Sequence, residues 1–364
     1  MKNTFGNQIS ITLFGESHGP AIGAVLDGLA PGIPVDEDRV RELLFRRRPS
    51  GDLSTTRHES DPFVIQSGVF EGKTTGTPLC ILIPNGDTRS ADYAQMQRLA
   101  RPSHADYTAH CKYHGYEDYR GGGHFSGRIT AALVAAAGIV LPALERKGIR
   151  IATHIARCGG VADRPFSNVS ADMAALQGKA FPVLDDTCGE EMQEAIRAVK
   201  RNADSVGGVT ETAVTGLPAG VGEPWFDTME SVLSHALFAV PAVKGVEFGT
   251  GFALAEMTGS TANDPFRVEN GNVCTKTNHS GGINGGITNG MPITFRCAFR
   301  PTPTIGQEQQ TVDLENGKNS MLTARGRHDP CIVHRACVVV EAMTALAVAD
   351  MLATRFGTDW LGEV

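Results

Sequence analysis

Two segments of the sequence, 126–144 and 335–355, constrain the fold most, because apolar residues cover nearly all sides of each predicted helix. A helix without a polar face has to be covered on every side. The apolar run at 131–144 is interrupted by Gly138 and Pro142 and is too short to span a bilayer. The first ten residues lack the apolar region of a signal peptide. We therefore expect a soluble, cytoplasmic protein with a buried helical layer.

The rest of the chain alternates between predicted strands and amphipathic helices. β-branched content with flanking glycine or proline predicts strands, and an acidic first turn with a basic last turn predicts a helix at 36–47. No proline- and serine-rich linker, charge block or internal repeat divides the chain. The sequence therefore predicts one α+β domain over residues 1–364. The predicted strands are 8–14, 21–26, 62–67, 79–83, 209–214 and 292–299, and the other amphipathic helices are 190–202 and 229–238.

Composition excludes several classes of protein. With 33 basic and 40 acidic residues the net charge is -7, which argues against bulk binding to nucleic acid or a membrane surface. The eight cysteines include no C-x-x-C pair, so we predict neither a zinc ribbon nor a redox dithiol, and no metal site. Glycine contributes 42 residues, so many loops are expected to need unusual backbone geometry.

The clearest binding motif is a glycine-rich loop that leads into the first apolar helix. Residues 120–128 read RGGGHFSGR, so two arginines bracket a glycine run. Backbone N–H groups at a helix start, together with arginines, form an anion site. The alternative is a flexible glycine turn. We favour the anion site, with a phosphate or a carboxylate as the guest.

Two histidines occur in segments suited to proton transfer. His18 lies in GESHG (15–19), directly after a predicted strand, and His104 lies in RPSHADYT (101–108), ahead of a stretch dense in ionisable groups. Histidine titrates near neutrality and can serve as an acid or a base. The alternatives are a structural hydrogen-bonding histidine in the first motif and a solvated loop in the second.

Three further segments carry groups suited to a flat or anionic ligand. A second glycine-rich loop covers 278–286, RPTPT (300–304) follows a predicted strand, and RGRHDP (325–330) precedes the last helix. In RGRHDP, arginines accompany Asp329, which is either a base or only a salt-bridge partner. Together the motifs indicate a small polyanionic substrate and proton-transfer chemistry.

Five motifs stand in the order and spacing of the chorismate synthase family, and the sequence is identified as a member of that family over about residues 5–352. The resemblance implies a β-α-β sandwich, in which a central helical layer lies between two antiparallel sheets. It also implies a homotetramer with flavin sites near the subunit contacts. The five motifs are 15–19, 101–108, 120–123, 242–249 (AVKGVEFG) and 326–330 (GRHDP).

The resemblance also implies a lyase reaction, the trans-1,4-elimination of phosphate from 5-enolpyruvylshikimate 3-phosphate to give chorismate. Reduced FMN supplies electron density transiently, without net redox change. His18 matches a family acid near the leaving phosphate, and His104 matches the acid that protonates reduced flavin. Asp329 matches the residue that assists proton removal, and Ser17 and Ser126 match supporting hydrogen-bonding residues.

Binding positions follow from the same resemblance. The substrate-binding positions are Ser17, Arg47, Arg128 and Arg327. The positions that match FMN contacts are His124, Phe125, Ser126, Ala242, Gly285, Arg300, Thr302, Thr304 and Arg327. Arg46 and Arg47 match a site for NADPH, which need not take part in the chemical step.

The sequence departs from the usual family pattern at three places. His124 and Phe125 stand where many members have Arg-Ser, Ser103 stands where glycine is common, and Leu53 stands where an arginine is common. None of these changes affects the three matching catalytic positions. Two alternatives remain: a non-catalytic paralogue that binds flavin or a phosphosugar acid, and another flavin enzyme such as a reductase. The sequence also leaves open whether the protein reduces its own flavin or uses an external reductase.

Overall fold

The structure is a computed structural model that describes residues 2–55, 60–86, 97–324 and 328–362. Its longest helices are the two that the sequence predicts to be apolar on all sides. The α-helices are α1 Glu37–Arg47, α2 Asp106–Tyr113, α3 Thr130–Arg146, α4 Val169–Leu176, α5 Asp186–Arg201, α6 Met229–Leu237, α7 Gly259–Ala262 and α8 Val333–Phe356. Short 3-10 helices cover Arg120–Phe125, Gly127–Ile129, Gly251–Glu256 and Thr358–Leu361.

The strands form two five-stranded antiparallel sheets and several two-stranded hairpins. The first half of the chain supplies one large sheet, in the order β1-β2-β3-β7-β4, and the second half supplies the other, in the order β11-β16-β10-β8-β9. The strands are β1 Thr4–Phe5, β2 Ser10–Gly15, β3 Ala21–Asp27, β4 Val64–Ser67, β5 Val69–Phe70, β6 Lys73–Thr74, β7 Leu79–Pro84, β8 Arg150–Cys158, β9 Val161–Ala162, β10 Gly208–Thr215, β11 Val243–Phe248, β12 Phe266–Glu269, β13 Asn272–Thr275, β14 Ile283–Asn284, β15 Ile287–Thr288, β16 Ile293–Phe299, β17 Glu308–Asp313 and β18 Lys318–Thr323.

A helical layer lies between the two large sheets. Helix α3 packs on β3 and β7 of the first sheet, and α8 packs on β8 and β10 of the second. The two helices also contact each other, while α1 packs against α3 and α6 against α8. Both α3 and α8 are buried along nearly their whole length. The expected β-α-β sandwich is confirmed, because each apolar helix has a sheet on one side and helices on the other.

Among the residues that the structure describes, two helices have the length and composition to cross a membrane: Gly127–Arg146 and Val333–Phe356. The structure buries 78% of the most apolar window of the first and all of that of the second inside the protein. Burial by the two sheets accounts for their apolar surface, so both are core helices.

The predicted elements agree with the structure to within a few residues. Helix α1 begins where the sequence predicts it, because the carboxylate of Asp36 accepts hydrogen bonds from the N–H groups of Asp38 and Arg39. Helix α3 begins later than predicted, since Gly127–Ile129 forms a 3-10 turn ahead of it. The exposed hairpin of β12 and β13 was not predicted.

Candidate functional site

One end of the helical layer encloses a cavity of about 280 Å³. Six segments meet there: the C-terminal end of α1, the loop before α2, the loop before α3, the turn between α6 and β11, the chain after β16 and the start of α8. These elements are far apart in sequence, so the fold assembles the cavity. Ten of the predicted site residues line it: Arg47, His104, Phe125, Ser126, Arg128, Ala242, Arg300, Thr302, Thr304 and Asp329.

The glycine run before α3 makes a close approach that no other residue type allows. Gly121, Gly122 and Gly123 have φ angles of 60°, 86° and 52°, in the region that favours glycine. A Cβ on Gly121 would lie 2.2 Å from the Cε1 atom of His18. Gly121 lines the cavity, and a side chain at this position would clash with His18.

His18 and Ser17 lie behind the glycine run rather than in the lining of the cavity. Both are buried, and the Nδ1 atom of His18 is 3.0 Å from the Oγ atom of Ser17. The Ser17 hydroxyl donates a 3.2 Å hydrogen bond to the backbone oxygen of Arg120. Gly121, whose Cα faces both side chains, lines the cavity. One glycine backbone thus separates the His18 imidazole from the cavity.

The two arginines that bracket the glycine run have different environments. Arg120 forms an ion pair with Asp118, with 2.8 Å between NH2 and Oδ2, and does not line the cavity. Arg128 is buried in the cavity wall. The Ser126 hydroxyl accepts a 3.3 Å hydrogen bond from the Arg128 N–H group at this helix start. Only Arg128 of the pair can meet an anion in the cavity.

Arg47 and Arg128 share a buried carboxylate, Asp61. Asp61 contacts the NH1 atom of Arg128 and lies 3.6 Å from the NH2 atom of Arg47. Its side chain is fully buried, as are nearly all of both guanidinium groups. Asp61 therefore joins the two arginines in this wall. Asp61 was not predicted, because a single aspartate in a loop forms no pattern.

His104 belongs to a buried cluster with Arg101 and Asp106. Its Nδ1 atom lies 2.7 Å from Oδ1 of Asp106, and Arg101 holds the same carboxylate through Nε at 2.8 Å and NH2 at 2.7 Å. Burial lowers the pKa of His104, and Arg101 and Arg300 lower it further, while Asp106 opposes the shift. Although burial opposes it, hydrogen bonds from Arg101 and His104 hold the pKa of Asp106 well below its usual range. The cluster therefore contains an ionised carboxylate beside a neutral imidazole.

Asp329 lies on the wall formed by the start of α8. Its Oδ1 atom accepts a 3.0 Å hydrogen bond from the Thr55 N–H group, and its Oδ2 atom is 2.6 Å from NH2 of Arg335. The Thr302 hydroxyl donates to the Asp329 backbone oxygen at 2.6 Å. Asp329 is thus a salt-bridge partner that also lines the cavity.

The wall after β16 combines polar groups with apolar surface. Ala242 has a φ angle of 75°, and its backbone oxygen accepts a 3.0 Å hydrogen bond from the Arg300 N–H group. Burial lowers the pKa of Arg300. Thr302 and Thr304 follow in an irregular segment, and Phe125 lies on the cavity with an exposed ring. Such a wall suits a flat ring system that carries an anionic group.

Besides Ser17, four predicted binding residues do not lie on the cavity or fall outside the described residues. Arg46 points elsewhere, with its NH2 atom 2.9 Å from Oε2 of the buried Glu341. The ring of His124 is held by a 2.8 Å hydrogen bond between Nδ1 and the Gly15 backbone oxygen. Gly285 lies in the exposed turn between β14 and β15. Arg327 lies outside the described residues.

Comparison with known proteins identifies the family. A family model described as chorismate synthase matches residues 9–353. The chain is 48% identical to a chorismate synthase of Thermococcus gammatolerans, and the alignment of 360 residues covers 99% of both chains. It is 46% identical to a chorismate synthase of Pyrococcus abyssi, over 96% of this chain and 97% of the relative. The fold is similar to that in a crystal structure of a chorismate synthase, with 29% sequence identity and a TM-score of 0.76. The superposition covers 97% of this chain and 94% of the other chain.

The fold and the cavity define a class: a β-α-β sandwich with a cavity whose lining includes several arginines. The chain belongs to the chorismate synthase family. It is therefore a lyase of aromatic amino-acid biosynthesis, from a family that requires a flavin. Nothing in the comparisons supports the non-catalytic alternative.

Proposed function

We propose that the cavity beside α3 and α8 is where phosphate is eliminated from 5-enolpyruvylshikimate 3-phosphate to give chorismate, with reduced FMN bound in the same cavity. The observation that carries this proposal is the meeting of Arg47, Arg128, His104 and Asp329 around one cavity. Arg47 and Arg128 supply positive charge. His104 supplies an acid and Asp329 a base. A phosphorylated substrate with two carboxylates requires both kinds of group.

Arg47 and Arg128 are suited to bind the anionic groups of the substrate. Their guanidinium groups are nearly fully buried, so an anion that reaches them interacts in a medium of low dielectric constant. Asp61 contacts both arginines and holds them together. Arg101 and Arg300 add two more cations to the cavity lining. The net charge of -7 therefore does not oppose the binding of a polyanion at this position.

Proton transfer is assigned to three residues. His104 presents an imidazole to the cavity, and we assign it to the acid that holds a proton near the flavin. Asp329 is assigned to the removal of the ring proton, since its carboxylate lies on the cavity wall. His18 is assigned to the acid near the leaving phosphate, with Ser17 holding its Nδ1 atom. Because Gly121 stands between His18 and the cavity, this last role requires the substrate phosphate to bind directly beside the glycine run.

The residues present fit a flavin mononucleotide. Arg300 and Thr304 offer a cation and a hydroxyl group for a phosphate, and Phe125 and Ala242 offer surface for a ring. Thr302 lines the same wall, with its hydroxyl proton donated to the Asp329 backbone oxygen. Ser126 also lines the cavity and caps the 3-10 turn Gly127–Ile129 ahead of α3. When bound in its reduced form, FMN supplies electron density for the elimination without being consumed. We propose that NADPH, if used to reduce the flavin, contacts Arg47 rather than Arg46, since Arg47 lines the cavity and Arg46 pairs with Glu341 outside it.

We also propose a cytoplasmic homotetramer. Trp225, Phe226 and Phe252 are each more than four-fifths exposed, and the hairpin of β12 and β13 exposes Phe266 and Val268. Large apolar side chains exposed on one stretch of a folded chain are typical of subunit contacts.

Gly285 lies outside the cavity, so we propose that it would meet an FMN molecule bound to a neighbouring subunit. Reduced flavin would come from an external reductase or from the protein itself.

Calorimetric titration with FMN and with FAD tests the proposed flavin site. We expect FMN to bind to the wild type, and Arg300→Gln to weaken binding about tenfold, because a charge-assisted hydrogen bond contributes roughly 1.5 kcal/mol. Arg296→Gln is the matched control, since Arg296 lies four residues earlier, on β16, and pairs with Glu247. Equal FMN affinity in all three proteins, or a preference for FAD, would contradict the assignment.

A further inference from the structure

We propose that Asp106 is a positioning residue that holds His104 in one tautomer and one orientation, with the proton on Nδ1 and with Nε2 directed away from Asp106. This inference rests on the proposed role of His104. It concerns Asp106, which itself does not line the reaction cavity.

The contacts of Asp106 leave it little freedom. Besides His104, its carboxylate accepts hydrogen bonds from three N–H groups of Arg101: Nε at 2.8 Å, NH2 at 2.7 Å and the backbone N–H at 2.9 Å. The carboxylate is therefore fixed, ionised and unable to donate a hydrogen bond. The short contact to His104 Nδ1, 2.7 Å, then requires the proton to lie on the histidine nitrogen.

Arg101 gives an independent reason for this tautomer. Its NH2 atom lies 3.0 Å from His104 Nδ1 as well as 2.7 Å from Asp106 Oδ1. Guanidinium has donors only, so it could bond to an unprotonated Nδ1. Asp106 would then face a bare nitrogen lone pair at 2.7 Å, which is repulsive. If Nδ1 of His104 carries a proton, both the imidazole and the Arg101 guanidinium donate to the Asp106 carboxylate. All three groups are then satisfied.

The need for positioning arises because His104 lies in a wall shared by two cavities. The second cavity, of about 570 Å³, is lined by His104, Asp106, His110 and Glu117, among other residues. Without a fixed partner, either ring nitrogen could turn toward either cavity. Gly122 packs against the opposite edge of the ring, where a Cβ would lie 3.1 Å from Cε1 and 3.4 Å from Nε2. Asp106 on one side and Gly122 on the other therefore select a single orientation.

Several charged groups set the proton affinity of this imidazole. Arg101 and Asp106 face it from its own segment, and Arg300 faces it from the chain after β16. His328, Asp329 and Arg335 line the same cavity from the loop before α8 and its first turn. Burial and the two arginines lower the pKa of His104, and Asp106 raises it. A bound polyanion adds to the effect of Asp106, so ligand binding favours the protonated ring.

Neutron diffraction from deuterated, ligand-free crystals tests the tautomer without any assay of activity. At a pH where the ring is neutral, we expect deuterium on Nδ1 of His104 and none on Nε2. Deuterium on Nε2 alone would overturn the proposal. This experiment uses the wild-type protein, so it does not depend on the folding of a variant.

The pH profile of turnover separates positioning from a general structural role. If protonated His104 acts as the acid, turnover falls as the pH rises through its pKa. Asp106→Asn removes the group that raises this pKa, so the alkaline limb moves to lower pH, and kcat falls about a hundredfold. The matched control is Glu117→Gln, because Glu117 lies 3.4 Å from another histidine, His110, on the second cavity. We expect it to leave the profile unchanged.

The outcomes are distinguishable. A lower kcat in Asp106→Asn with an unmoved alkaline limb would show that Asp106 is only structural. If wild-type protein produced no chorismate, the proposed function would fail, while the neutron result would still decide which ring nitrogen carries the proton.

Discussion

At the residue scale, the positions of Arg47 and Arg128 depend on Asp61. We expect Asp61→Asn to lower the free energy of unfolding by about 3 kcal/mol, because it removes a buried carboxylate that contacts two buried guanidinium groups. Asparagine tolerates the φ angle of 47° at this position, so backbone strain does not contribute to the change in stability. Urea denaturation measures the change. Asp52→Asn is the control, since the exposed pair of Asp52 with Arg197 contributes little. Equal effects of the two substitutions would contradict this account.

The sequence predicts individual site residues better than the pairs they form. Arg47, Arg128, His104 and Asp329 belong to recognisable motifs, and the structure brings them to one cavity. Their partners Asp61, Thr55 and Arg335 were not predicted, because such pairs form only when distant segments meet. Likewise the RGGGHFSGR motif predicts an anion site, but not that Gly121 must make room for His18.

Three family departures can be related to their local structure. Ser103 has a φ angle of 58°, in the region that favours glycine, which accounts for the glycine common there in the family. Leu53 is buried in the hydrophobic core and does not line the cavity. Histidine stands at position 124 where arginine is common, and its ring contacts the Gly15 backbone oxygen, away from the cavity lining.

At the scale of elements, Gly138 lets α3 approach α1 closely. A Cβ there would lie 2.8 Å from Cγ2 and 3.0 Å from Cα of Val40. Alanine favours a helix by about 1 kcal/mol over glycine, but overpacking costs about 1–3 kcal/mol. We expect Gly138→Ala to lower the melting temperature and to weaken substrate binding, since α1 ends at Arg47. Gly259→Ala is the control, because a Cβ there has open space. A raised melting temperature in Gly138→Ala would contradict the close-packing explanation.

The elements themselves were largely predictable, and their arrangement was not. Apolar residues on all sides predicted that α3 and α8 are central, which the structure confirms. Periodicity does not specify which sheet covers which helix, so the sandwich was expected from family resemblance alone. The β12–β13 hairpin was missed because its residues are mostly exposed and carry no alternation that marks a buried face.

At the scale of the whole molecule, exposed aromatic residues predict self-association. We expect light scattering after size-exclusion chromatography to give the mass of a tetramer. Phe226→Glu, at a side chain that is 91% exposed, should shift the population to smaller species, because a charge does not enter an apolar contact without cost. A monomeric wild type across the accessible concentration range would contradict the proposed tetramer.

The most direct test of the central claim is anaerobic incubation of the purified protein with chemically reduced FMN and 5-enolpyruvylshikimate 3-phosphate, with phosphate release and chorismate absorbance followed together. We expect the two products to appear in equal amounts, and Asp329→Asn to slow both about a hundredfold. The account would be contradicted if flavin and substrate bound and neither product formed. Steady NADPH consumption in the absence of the shikimate substrate, with no chorismate in its presence, would instead indicate a reductase.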